Sequence, residues 1–300
     1  MTIYRTESGR AAVKQRYREI LRLWPVPSQH LTVPTREGDT FVVACGPPDA
    51  PPLLLLHGSA SNSAMWMGDV ADWARDFRVY AVDLIGDPGL SAPSRPPLSS
   101  EAYAHWLDDV LDSLAAPRVS IVGISLGGWL ALDYAIRRPA RVDRLALLCP
   151  SGVGRQKWGV LIAALLLKPF GRGGLRTTMR LVAGGVPPAT TEHAREFADF
   201  LMLIHTHFRP RREPVPIFGD ELLGRLDQPM LAIVGGRDRL LDSAGTVRRL
   251  ERLVPHATVR LLPGAGHVLL GQSKPVLAFM RSTPAGRRPR SEPPAPHRSP

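Results

Sequence analysis

Short, continuously apolar runs alternate with helix-patterned segments along most of this chain. Residues 52–56 (PLLLL) precede a helical pattern over 66–73, residues 78–83 (RVYAVD) precede one over 101–114, and residues 118–123 (RVSIVG) precede one over 126–137. Residues 141–149 (RVDRLALLC) complete this first series. A strand that is apolar at every position has both faces buried, and helices between such strands cover those faces. The pattern predicts the α/β class, with a mostly parallel central sheet and helices on both sides. The alternation lapses over 151–225, where helical pieces and Pro/Gly breaks occur without a strand. It resumes with 229–236 (PMLAIVGG), a helix over 243–253, a strand over 258–264 (TVRLLPG) and a helix over 268–280.

The simplest organisation is one domain, 26–150 with 226–280, carrying an inserted helical cap over 151–225. Residues 11–24 place Val13, Tyr17, Ile20, Leu21 and Trp24 at helical spacing, so residues 1–25 predict an N-terminal amphipathic helix. Residues 31–34 and 40–45 flank Glu37, Gly38 and Asp39 and predict a hairpin. Residues 281–300 are rich in Pro and Arg and offer nothing to bury, which predicts a disordered tail.

A net charge of +11 raises the question of nucleic acid. The excess sits at the two ends, over 151–225 and, less, over 226–280, whereas 26–150 is net acidic, and no basic motif is interleaved with aromatics. No nucleic-acid partner is expected; a weak contact with an anionic membrane surface fits the distribution better. Cys45 and Cys149 lie in apolar strand-like runs and read as small buried residues rather than a disulfide or a metal site. No apolar stretch follows the N-terminal charges, so a cytoplasmic location is expected. The longest apolar run, 158–167, is about half of what a bilayer-spanning helix needs.

The chemistry gathers at strand ends. Gly123-Ile124-Ser125-Leu126-Gly127 falls between a strand and a helix, where a sharp turn lifts a serine hydroxyl above the sheet edge and small neighbours relieve crowding. Asp238 follows the strand 229–236, and His267 follows the strand 258–264. All three are expected at the carboxyl edge, where open α/β sheets build their sites, in the order nucleophile, acid, base. Ser125 is the candidate nucleophile, His267 its base and Asp238 the group that orients the imidazole. Asp242, on the same loop as Asp238, is better explained as a helix cap. His57-Gly58-Ser59-Ala60 follows the buried strand PLLLL, so the backbone N–H groups of Ser59 and Leu126 are the candidate oxyanion donors, with His57 shaping the turn. His205 and His207 are two apart on one expected helix and make a poor metal pair. No cofactor or metal is expected. Trp66, Trp129 and Trp158 fit packing better than a pocket wall, and 157–170 (KWGVLIAALLLKPF) is expected to be the cap helix over Ser125.

Over residues 26–280 these motifs resemble the α/β-hydrolase family, in its cap-bearing, esterase-like branch. The resemblance rests on His57-Gly58, Asp83-Leu84-Ile85-Gly86, the 123–127 turn, Gly235 to Asp238 and Gly264 to His267. It implies an α/β-hydrolase fold and a serine hydrolase that cleaves a carboxylic ester or related acyl bond of a small apolar substrate through an acyl-enzyme. A serine at the turn disfavours the resembling epoxide hydrolases and haloalkane dehalogenases, which carry Asp there. One departure is the loop from Asp87 to Ser91, a residue longer than the H-G-x-S turn of many relatives. An acyltransferase, a perhydrolase or a carbon–carbon bond hydrolase on the same triad is an alternative, as is a non-catalytic binding protein on this scaffold. Oligomeric state is not legible from the sequence.

Overall fold

The computed structural model describes residues 2–184 and 192–282. Eight strands form one sheet in the order β1-β2-β4-β3-β5-β6-β7-β8. The hairpin β1 (Ser28–Val33) and β2 (Thr40–Cys45) is antiparallel, and β2 also runs antiparallel to β4 (Arg78–Val82). From β4 onward every pairing is parallel, through β3 (Pro52–Leu56), β5 (Val119–Ile124), β6 (Val142–Leu148), β7 (Met230–Gly235) and β8 (Thr258–Leu262). This is the mostly parallel sheet of an α/β-hydrolase fold.

The two-residue period of a strand explains why its central members are apolar throughout. In β3, Leu54 and Leu56 pack on one face with Trp106 and Leu107 of α3 (Ala102–Ser113) and Leu130 of α4 (Leu126–Arg137). Leu53 and Leu55 pack on the other, with Val13 and Ile20 of α1 (Glu7–Leu21) and Trp73 of α2 (Val70–Trp73). Arg260 lies on the exposed edge strand β8, where a charge discourages pairing with another chain.

Between β6 and β7 run α5 (Gly159–Leu167), α6 (Gly171–Ala183), α7 (Glu192–His207) and α8 (Asp220–Gly224). Helix α7 packs on the N-terminal helix: Tyr17 of α1 stacks on Phe200, with ring centroids 5.9 Å apart. Helix α9 (Ser243–Leu253) and α10 (Ser273–Arg281) complete the two outer layers.

Three boundaries differ from the sequence reading. The segment 66–73 is two short helical pieces, a single turn over Ser63–Trp66 and then α2. The last helix starts at Ser273 rather than 268, because Gly271 adopts φ 71° and interrupts it. The first helix starts at Glu7, where the Thr6 hydroxyl accepts the Gly9 N–H. The tail reading for 281–300 falls, beyond Ser282, outside the described residues. Among the described residues, no helix is long and apolar enough to cross a membrane.

Candidate active site

Ser125 connects β5 to α4 with φ 54° and ψ −112°, a left-handed conformation that side-chain-bearing residues rarely adopt. Its glycine neighbours are required by contact. A Cβ on Gly123 would lie 2.5 Å from the Gly127 carbonyl oxygen, and one on Gly127 would lie 2.0 Å from that of Leu56. The turn is thereby pressed against the end of β3, and Gly58 lies against Ser125: a Cβ there would sit 3.6 Å from that of Ser125.

Strands β5, β6, β7 and β8 are successive neighbours, so the residues after them share one edge. His267 Nε2 lies 3.0 Å from Ser125 Oγ, and His267 Nδ1 lies 2.7 Å from Asp238 Oδ2. The second Asp238 oxygen, Oδ1, accepts the Leu240 and Leu241 N–H groups at 2.7 and 3.0 Å. Burial pushes the Asp238 carboxyl up, but the His267 imidazole and these two amides outweigh it and hold the group below its ordinary range. An ionised Asp238 fixes the proton on Nδ1, which leaves Nε2 free to accept from the serine hydroxyl. Asp242 caps α9 by accepting the Gly245 N–H at 3.0 Å.

At the end of β3, His57 is fully buried and acts as a strut. Its Nε2 accepts the Leu84 N–H at 2.9 Å, and its Nδ1 lies 2.8 Å from the Gly58 carbonyl oxygen. The Ala60 N–H is taken by buried Asp87 at 2.7 Å. Among the described residues, neither the Ser59 nor the Leu126 N–H donates a hydrogen bond. The two expected oxyanion donors are thus unspent, one on the loop packed against the serine and one at the first turn of α4.

Several residues around this edge make contacts that the sequence did not indicate. Asp83 accepts Tyr17 Oη at 2.8 Å, the Ser63 N–H and Oγ at 2.9 and 2.7 Å, and the Leu90 N–H at 2.8 Å. It ties α1, the 63–66 turn and the 87–91 loop together. Lys157 Nζ donates to the Asp238 carbonyl oxygen at 2.8 Å. Cys149, at the end of β6, groups with Asp238 and His267, their nearest ligand-type atoms lying within 4.8 Å of one another. Burial, with Asp238 beside it, pushes the thiol up to about 12, so it is protonated and a poor metal ligand. Both cysteines are free and buried.

Trp129 and Trp66 are buried packing residues: Trp129 stacks on Phe218 and donates to the Pro216 carbonyl, and Trp66 packs on Trp73. His207 lies against Gly9. Helix α5 begins beside the Asp238 loop, where the Lys157 N–H donates to the Leu240 carbonyl oxygen at 2.7 Å. At the far end of α6, Gly184 touches Gly266: a Cβ on Gly266 would lie 2.5 Å from the Gly184 Cα.

Residues 53–280 match the profile of the Alpha/beta hydrolase family. The chain is 32% identical over 277 residues to the uncharacterized carboxylesterase nap of Bacillus subtilis, covering 85% of this chain and 86% of that protein. The crystal structure of carboxylesterase CesB (YbfK) from Bacillus subtilis superposes with a TM-score of 0.77 at 30% identity, covering 91% of this chain and 96% of that one. That of naproxen esterase from the same organism gives 0.75 at 32% identity, with 89% and 94% covered.

Proposed function

The chain belongs to the α/β-hydrolase family and is a hydrolase, and from that premise we propose that it cleaves carboxylic esters of small apolar substrates through Ser125, His267 and Asp238. The reading rests on one observation, the unbroken line from Ser125 Oγ through both nitrogens of His267 to Asp238, at 3.0 and 2.7 Å.

In this reading Ser125 Oγ attacks the ester carbonyl carbon while His267 Nε2 takes the hydroxyl proton. The carbonyl oxygen becomes an oxyanion and accepts the Ser59 and Leu126 N–H groups, each contributing roughly 3–4 kcal/mol to the transition state. Collapse breaks the bond to the leaving oxygen, which receives the proton from Nε2 and departs as the alcohol. Water then attacks the acyl-enzyme, gives its proton to Nε2, and the carboxylic acid leaves as that proton returns to Ser125. Asp238 stabilises the imidazolium in both halves. The helices between β6 and β7 serve as the cap that sets acyl preference.

A serine-directed fluorophosphonate probe tests the nucleophile. Stoichiometric labelling of the purified chain, lost in Ser125→Ala, is the expected result. Labelling that persists in Ser125→Ala, or none in the native protein, would overturn the assignment. A panel of esters and alternative acceptors, analysed for products, then separates hydrolysis from acyl transfer.

A further inference from the structure

Helix α5 is apolar all round, GVLIAALLL, and at its ends stand Trp158 and Phe170. Helices without a polar face belong in apolar surroundings. Here Val160 is buried, but Trp158, Ile162, Leu165, Leu166 and Phe170 are each more than half exposed. The helix is anchored at its edges by Lys157 to the Asp238 loop and by Gly174 of α6, where a Cβ would lie 1.9 Å from the Leu167 carbonyl oxygen.

The same arm is cationic without a counter-charge. Residues 151–184 carry Arg155, Lys157, Lys168, Arg172, Arg176 and Arg180, and no carboxylate. Arg172, Arg176 and Arg180 recur every fourth residue along α6 and so share a face. At its end, Arg180 joins Arg237 and Arg239 in a cavity of about 300 Å³ also lined by Thr177, Leu181 and Gly184. Among the described residues, none of these five arginines has a carboxylate within ion-pair distance. Elsewhere the chain pairs its arginines closely, Arg36 with Asp109 and Arg138 with Asp108, at 2.7 and 2.9 Å.

We propose that the α5–α6 arm docks the enzyme on an anionic phospholipid bilayer, with the α5 side chains at the headgroup–acyl boundary and the α6 arginines, with Arg237 and Arg239, on the phosphates. An exposed apolar helix beside unpaired cations is the combination that such an interface selects. A second copy of the chain fits less well, since it would bring two carboxylate-free cationic arms together. Because the arm starts at the Asp238 loop and ends against Gly266, docking brings the strand ends carrying Asp238 and His267 to the lipid surface.

The test is co-sedimentation of the full chain with vesicles of mixed phosphatidylglycerol and phosphatidylcholine, and with phosphatidylcholine alone. Binding to the anionic vesicles and weakening by salt are expected. Arg172→Gln/Arg176→Gln should weaken it about 25-fold, at about fivefold per charge. Leu165→Ser/Leu166→Ser should weaken it at least about tenfold, while both variants keep the circular-dichroism spectrum and melting temperature of the native protein. No preference for anionic vesicles overturns the proposal, as does binding that survives both double substitutions. Concentration-dependent dimers that dissociate in Leu165→Ser/Leu166→Ser, without vesicle binding, would assign the face to a second copy instead.

Discussion

Asp238 and Asp242 stand four residues apart on one loop, yet their carboxylates serve different partners. Asp238 reaches the His267 imidazole at 2.7 Å, and Asp242 turns to the Gly245 N–H at 3.0 Å and starts α9. The loop itself makes the division: the Leu240 and Leu241 amides between them point back at Asp238 Oδ1 and fix its orientation.

These roles separate under substitution. Asp238→Asn keeps the shape but favours the wrong imidazole tautomer, and turnover should fall about 10⁴-fold with a modest change in KM. Asp242→Ala should cost about 1 kcal/mol of stability and leave turnover within a few-fold. Thermal melts and turnover on one activated ester check both. A dead Asp242→Ala enzyme beside a nearly normal Asp238→Asn would reverse the assignment.

Ser125 holds a strained backbone, with φ 54° and ψ −112°. Ser125→Ala and Ser125→Gly both remove the proposed nucleophile and should lower turnover by about 10⁴–10⁶-fold. They differ in strain. Alanine keeps the strain of about 1–3 kcal/mol, whereas glycine relieves it at a chain-entropy cost of about 0.5–1 kcal/mol. The glycine variant should therefore be the more stable by about 1 kcal/mol, a difference of roughly 2–4 °C in Tm. Equal melting temperatures would mean that the turn stores no strain.

The site was legible in the sequence where one short segment carries both its structure and its chemistry. The apolar runs ending at Ile124, Gly235 and Leu262 fix three parallel strands, so Ser125, Asp238 and His267 fall on one edge whatever the details of packing. Helix α4 begins and ends at the expected residues because a glycine-rich turn opens it and Arg138 leaves helical geometry. Contacts set by how separate elements cross were not legible. Tyr17 and Asp83 are 66 residues apart, and neither sequence segment hints that one carboxylate gathers a helix, a turn and a loop. Lys157 on the Asp238 carbonyl is the same kind of contact, made by a residue that reads as the flank of an apolar run.

That Tyr17–Asp83 contact is measurable. Tyr17→Phe keeps the ring against Phe200 and Phe41 and removes only the hydroxyl, which donates to Asp83 at 2.8 Å within the core. Hydrogen bonds to charged groups contribute about 1.5–3 kcal/mol, and chemical denaturation should show a loss of that size. A loss below about 0.5 kcal/mol, less than a typical net hydrogen bond, would mean that Ser63 and Leu90 satisfy Asp83 without help from α1.

Asp69 should make stability depend on pH in the direction opposite to a paired carboxylate. It precedes α2, makes no side-chain capping bond there, and is pushed up to about 6 by burial and then by Asp72 nearby. With the folded value above the unfolded one, the native state binds the proton more tightly. The contribution of Asp69 is fully present below the ordinary value of 3.8 and is lost as pH rises through about 6. Above that, the folded protein carries a poorly solvated charge. Partial exposure limits the cost to about 1–2 kcal/mol, less than the full shift implies. Asp69→Asn keeps the shape and removes the charge, so it should stabilise the protein by about 1–2 kcal/mol at pH 8 and by little at pH 4. The gain should build between the ordinary value of 3.8 and about 6 and level off above that. Denaturation midpoints of both proteins across that range decide it: a gain that does not vary with pH, or one larger at pH 4 than at pH 8, would show that Asp69 is not the group responsible.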